Sequence, residues 1–471
     1  MRERAKRALK ASPKMEVADF NDKQIFCFVS AWFAAKNSTI VNRFIQKLKA
    51  NEPIRELATN PLLLTLLCLT FEEFAELPLN RSQLYKEGLN ILLKKWDDKL
   101  NIERQQIYKK LSVQHKEDLL SKIALLTFER GDYFFTQTEL QHYIACYISN
   151  LPGVSTQVET LQLESVAVLK SIEAQHGLLV ERASGIYSFS HVMFHEYFVA
   201  RGIVDSSDPQ TLEMALKQLV IHISEYRWRE VFFLTVVMLR KSDYMLHLMK
   251  QKIDDIATQN EQLQALLTWA SRKVRTVSVC YKPVSVRAFY FELAVARVLA
   301  FDGSWLDLTK ALDYNFTPHP EPSLALDLAL YHTLTVASVV DFIFEPNRDF
   351  ERILERAIAY AHNVEPMLER SLQQLKEQLP EDRDGKKFQQ WWQANNGDWT
   401  KQLRKVMIKH RHIGYDWHFS AQEMEALKQY YDANQLLADC LNTNLYVTRK
   451  ARWEIEETLL LPTKEISLPL G

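Results

Sequence analysis

The sequence predicts a mainly α protein: a helical domain, a second helical domain carrying one small β-hairpin, and a large C-terminal α-helical domain. Three observations lead there. Apolar residues recur at helical intervals of three, four and seven or eight through the chain. Glycine is scarce, at 11 of 471 residues. A glycine content near 2% against a typical ~7% leaves little room for a glycine-turned sheet protein. Strand and turn signals concentrate in one segment, Gly177–Arg201.

In chain order, residues 1–14 form a basic arm, with Arg2, Arg4, Lys6, Arg7, Lys10 and Lys14 against Glu3. Residues 15–110 follow as a remnant strand and a helical domain. Met15-Glu16-Val17 reads as a short strand entering a helix capped by Asn21, with Gln24 completing a capping box. An orphan edge strand is a pairing hazard, so it is expected to be disordered, covered or completed by another chain. Ile25, Val29, Trp32 and Phe33 make one core stripe, and Val41, Phe44, Ile45 and Leu48 the next. Helices continue over Pro61–Ala75 and Arg81–Lys99, where Asn60-Pro61 supplies an N-cap followed by proline at the first helical position. Asn101–Gln114 is a polar connector.

Residues 111–204 hold three helices, Lys116–Arg130, Thr138–Ile148 and Leu161–His176, and then the hairpin. Strand Leu178–Arg182, the turn Ala183-Ser184-Gly185 and strand Ile186–Phe189 run into a helix opened by Ser190. A hairpin in that place is the wing of a winged-helix domain. His191 falls in the first turn of the helix, where unpaired amides and the dipole favour an anion such as phosphate. The alternative is a buried histidine with satisfied ring nitrogens. His191 and His195 also stand at the i, i+4 spacing of zinc ligands, but the order is wrong for HExxH and no third ligand suggests itself. The would-be recognition helix sets Glu164 and Glu173 against Lys170 alone, the wrong balance for a groove lined by phosphates.

Residues 205–380 read as a C-terminal helical domain without a fixed repeat period. Leu354, Ile358 and Ala361 mark one helix over Glu351–Asn363, and Leu368, Leu372, Leu375 and Leu379 mark another. Pro380–Gly385 is a joint opening a helical sub-domain, 381–471. It begins with Trp391, Trp392 and Trp399 and continues into Lys401, Lys405 and Lys409, near Arg404, Arg411, His410 and His412. Such a stretch suits nucleic acid, a protein partner, or a solvated helix face over a tryptophan core, and the sequence leaves the role of 388–412 open.

The balance of 58 Lys+Arg against 59 Asp+Glu gives a net charge of −1, with no global attraction to nucleic acid or anionic membrane. Five scattered cysteines form no CxxC pair and read as reduced thiols in the cytoplasm. The longest apolar run, Pro61–Phe71, is too short to span a bilayer.

YSFSHVMFHEYFVAR, ending the hairpin segment, resembles the end of the winged-helix domain in NACHT-type signalling NTPases of the STAND class. IRELATNPLLLTLLCLTF, from Ile54 to Phe71, is similar to the helical domain that follows their nucleotide-binding core, and the similarity runs from about Met15 to Asp254. The resemblance implies that His191 contacts the terminal phosphate of ADP and that Pro61 packs on the adenine ring. A P-loop requires GxxxxGK[ST], yet the first glycine is Gly88 and no two glycines are five apart. The chain is therefore expected to use no cofactor and to hydrolyse no ATP alone, with ADP or ATP and Mg²⁺ belonging to the complete family protein. The implied partners are a P-loop core or neighbouring chain, other proteins, and a second copy on activation. Membrane is not expected as a partner, nor nucleic acid. The implied biology is signal transduction in bacterial antiviral defence. The rival expectation is a nucleotide-independent helical scaffold, such as a split-gene partner of a P-loop protein.

Overall fold

The computed structural model describes residues 19–34, 38–78, 81–95, 112–151, 157–176, 178–205, 208–299, 306–319, 321–338, 346–380, 385–443 and 447–466. The basic arm, the short strand at Met15–Val17 and most of the polar connector lie outside them. The chain divides into two compact units: Met1–Leu216 with Arg227–Arg240, and Lys217–Tyr226 with Lys241–Gly471.

The first unit opens with α1 (Asp22–Trp32), whose capping box is formed as expected: the Asn21 side chain accepts from the Gln24 amide at 3.0 Å, and the Gln24 side chain accepts from the Asn21 amide at 2.9 Å. Its buried stripe is Ile25, Val29 and Phe33, while Trp32, expected in the same stripe, lies at the surface stacked on Phe28. One residue along a helix turns the side chain by ~100°, so Phe33 and Trp32 do not share a face. Next come α2 (Ser38–Lys49), α3 (Glu52–Leu57), α4 (Pro61–Phe74) and α5 (Arg81–Lys95). Phe33, Phe44 and Phe71 meet with ring centroids 5.2 to 6.3 Å apart, fastening the end of α1 to α2 and α4. The helix α4 packs along α5, and Gly88 permits it: a Cβ there would stand 2.9 Å from Leu66 Cδ2.

The winged helix comprises α6 (Val113–Glu129), β1 (Phe135–Thr136), α7 (Gln137–Ile148), α8 (Val158–His176), β2 (Leu179–Ala183), β3 (Ile186–Phe189) and α9 (Val192–Val204). Ser112 caps α6, so the helix begins inside the expected connector. The sheet has order β1-β3-β2, both pairings antiparallel. The hairpin turn rests on Gly185, at φ +70°, a left-handed conformation that glycine adopts without steric cost. The strand β1 was not anticipated; its two residues pair with Ile186 and Tyr187 of the wing. Two residues show no alternation, which is why the sequence hides them. The helix α10 (Pro209–Ile221) leads on, and α11 (Arg229–Met238) returns to pack on α9.

The second unit contains α12 (Asp243–Thr258), α13 (Glu261–Val274), α14 (Pro283–Leu299), α15 (Asp307–Leu312), α16 (Pro322–Ser338), α17 (Pro346–Val364), α18 (Pro366–Glu377), α19 (Gly385–Arg411), α20 (Ala421–Thr443), α21 (Arg449–Thr458) and α22 (Thr463–Ile466). Successive helices from α16 to α19 pack on one another, and α19 also returns to α16. The helix α16 is buried along Leu324–Tyr331, apolar except for Asp327, as a helix enclosed on all sides must be. Arg287 is buried with its guanidinium on the carbonyls of Glu456, Glu457 and Leu459, at 2.8 to 2.9 Å, satisfying the C-terminal end of α21.

Candidate functional site

His191 is the N-cap of α9, with φ −137° and ψ 142°. The helix therefore starts one residue later than the sequence suggests: the Phe194 amide bonds to His191 O at 3.1 Å, while Ser190 stays with the hairpin, its amide on Leu178 O at 2.8 Å and its carbonyl taken by Arg182. Arg182 fixes this corner: Nε donates to Ser188 Oγ at 2.9 Å and Nη2 to Ser190 O at 2.7 Å. The His191 carbonyl begins the helical ladder, but no side chain caps the opening amides of α9. Its imidazole is exposed and meets Phe194 edge-on at 5.7 Å. The protein packed behind it and the Arg182 guanidinium lower its pKa, so it is neutral at pH 7. A neutral imidazole still donates one N–H, and with Arg182 and the helix end it forms a donor-rich, electropositive corner suited to an anionic oxygen.

Pro61 stands at the first position of α4, where Asn60 Oδ1 accepts from the amides of Leu62 (3.0 Å) and Leu63 (3.3 Å). Its ring is half-buried. Pro61 and His191 are thus on different helices, and α5 links those helices. It packs along α4, while its Tyr85 donates to Met193 Sδ at 3.1 Å and lies 5.8 Å from the Tyr197 ring on α9.

The buried, satisfied histidine is His195, not His191. Its Nε2 lies 2.9 Å from Thr127 Oγ1 and 3.1 Å from Ala124 O, and its ring sits among Phe128, Tyr133, Phe135 and Phe189. Because Ala124 O only accepts, Nε2 carries the hydrogen. Burial pushes its pKa down to about 4. The i, i+4 pair is therefore split between surface and core, which removes it as a zinc pair, and among the described residues no cluster of three metal-ligating side chains occurs. Arg201, also on α9, binds Glu117 at 3.1 Å, Asp118 at 2.9 Å and Asp205 at 3.1 Å, anchoring the helix to α6. Of the would-be recognition helix, Glu173 accepts from the Tyr187 hydroxyl at 3.4 Å.

The region 388–412 lies on α19. Trp392 and Trp399 are core, and Trp399 Nε1 donates to Leu375 O at 2.9 Å. Lys401, Lys405 and Lys409 point to solvent. Arg411 turns inward onto Asp327, which is fully buried: Nε lies 2.7 Å from Oδ1 and Nη2 3.1 Å from Oδ2. Lys273 and the Tyr290 hydroxyl reach the same carboxylate at 3.2 and 2.7 Å. Asp327 lies on an apolar helix far upstream in sequence, so periodicity gave no sign of this partner.

A three-stranded wing flanked by helices, with an uncapped helix end at its base, defines a winged-helix protein. Two family models match the chain: "Winged helix-turn-helix domain C-terminal to NACHT" over residues 81–203, and "NACHT C-terminal Helical domain 2" over residues 368–462. The chain therefore carries two stretches similar to domains that follow the NACHT module. No curated protein matches it. Among the described residues no helix is long and apolar enough to cross a membrane.

Proposed function

We propose that this chain is the regulatory and sensing portion of a NACHT-type nucleotide-dependent switch, and that it hydrolyses no ATP by itself. ADP held by a P-loop core would meet α9 through His191, with Pro61 against the base, and exchange for ATP would release the winged helix and permit oligomerisation. The family role this points to is signalling in bacterial antiviral defence. The observation that carries the reading is the corner at His191: an exposed neutral imidazole, a helix end without a side-chain cap, and Arg182 beside both. A ligand of that corner biases a two-state equilibrium by the difference in its affinity for the closed and open forms.

The test joins the chain to a NACHT core carrying a P-loop and follows release of bound ADP. His191→Ala should speed release by at least about tenfold, the loss of one charge-assisted hydrogen bond. Equal release from both proteins would reject the switch and favour a nucleotide-independent scaffold.

A further inference from the structure

We propose that the second unit carries a binding site for a small, planar, aromatic anion of the nucleoside-phosphate class, in the cleft between α13 and the loop that follows α19. The cleft encloses about 550 Å³, and Trp269, Arg272, Lys273, His412, Tyr415 and Trp417 supply its ring and cationic lining. That is within the size range of sites that hold small organic ligands.

The sequence brings these groups together by ending α19 abruptly. His412 takes a left-handed conformation (φ +55°), with its amide on Ile408 O at 3.1 Å, and Gly414 takes another (φ +84°). The chain therefore reverses and lays Tyr415 and Trp417 over α13. Trp269 Nε1 donates to His412 O at 2.8 Å and holds the turn in place. The three rings lie 5.9 to 6.4 Å apart, each steeply inclined to the next, and form one aromatic wall.

Two observations select the ligand. No carboxylate lines the cleft, whereas Arg272 and Lys273 both do. An aromatic wall alone would also suit an organic cation, but the Arg272 guanidinium in the same cleft repels one. Lys273 is engaged behind the wall with Asp327 and with Arg411 O at 2.7 Å, so the group available to an incoming anion is Arg272. Its exposed guanidinium has no partner among the described residues. A nucleobase offers a face to stack, and its phosphate offers an anion for a guanidinium fork.

The experiment is calorimetric titration of the full chain with the four ribonucleoside monophosphates, adenosine, ribose 5-phosphate and a pentathymidylate. Saturable binding of a monophosphate or the oligonucleotide is expected. It should fall at least tenfold in Arg272→Ala and severalfold in Tyr415→Ala, which assigns the binding to this cleft and not to the winged-helix corner. Tighter binding of the oligonucleotide would assign single-stranded nucleic acid as the source of the ligand, and tighter binding of a monomer a free nucleotide. The proposal is overturned if none of the nucleotides binds, if ribose 5-phosphate binds as well as the monophosphates, or if Arg272→Ala, with an unchanged circular dichroism spectrum, keeps wild-type affinity.

Discussion

His195 Nε2 lies 2.9 Å from Thr127 Oγ1, in a box of aromatic rings that joins α9 to α6 and the wing. The imidazole is held neutral, with a pKa near 4 against the usual 6.5. The unfolded chain therefore binds a proton that the folded chain refuses. The associated stability is complete above pH 6.5 and is lost as pH falls from there toward 4. The shift corresponds to about 3 kcal/mol. Urea unfolding monitored between pH 7 and 4 should show this fall, and His195→Phe should flatten it. An equal slope in both proteins would contradict the assignment.

Asp327 is the only carboxylate bonded to both Arg411 and Lys273 among the described contacts. Asp327→Ala leaves two cations facing each other beneath α16, and removing one member of a buried pair costs about 3–5 kcal/mol. Lys401→Ala, on the exposed face of the same long helix, should change stability by no more than about 0.5 kcal/mol. Chemical denaturation of the two variants, followed by tryptophan fluorescence, checks the contrast.

The turn of the wing requires a left-handed residue at Gly185. Gly185→Ala is expected to cost about 1 kcal/mol, and a β-branched residue more. The predicted order, Gly above Ala above Val in melting temperature, is read directly by calorimetry. A neutral Gly185→Val would mean that the turn has another conformation.

His191 separates function from stability. Its side chain is exposed and caps nothing, so His191→Ala should leave the unfolding midpoint unchanged within about 0.5 kcal/mol. The same substitution should accelerate loss of ADP from the chain joined to its core. A large fall in stability would instead make His191 a structural residue.

The helical half of this fold was legible because helices announce themselves locally. Asn21 with Gln24, Asn60 with Pro61, and Gly185 in its turn each fix a boundary through bonds spanning no more than a few residues. The candidate site was legible in part. The hairpin and the helix after it could be read, but the bonds that keep Ser190 with the hairpin, its amide on Leu178 O and its carbonyl on Arg182, are made across the hairpin and leave His191 to open the helix.

By itself the sequence determined the mainly α class, the wing and the positions of His191 and Pro61, because periodicity, caps and turns are set by near neighbours. Only the tertiary structure decided which histidine is buried, that Arg411 belongs to the core rather than to a basic surface, and that Trp269 meets Tyr415 and Trp417. Those outcomes depend on Thr127, Asp327 and the reversal at His412, which bring together residues 68, 84 and 143 positions apart. A linear pattern records which face of a helix is apolar; it does not record which distant side chain arrives to cover it.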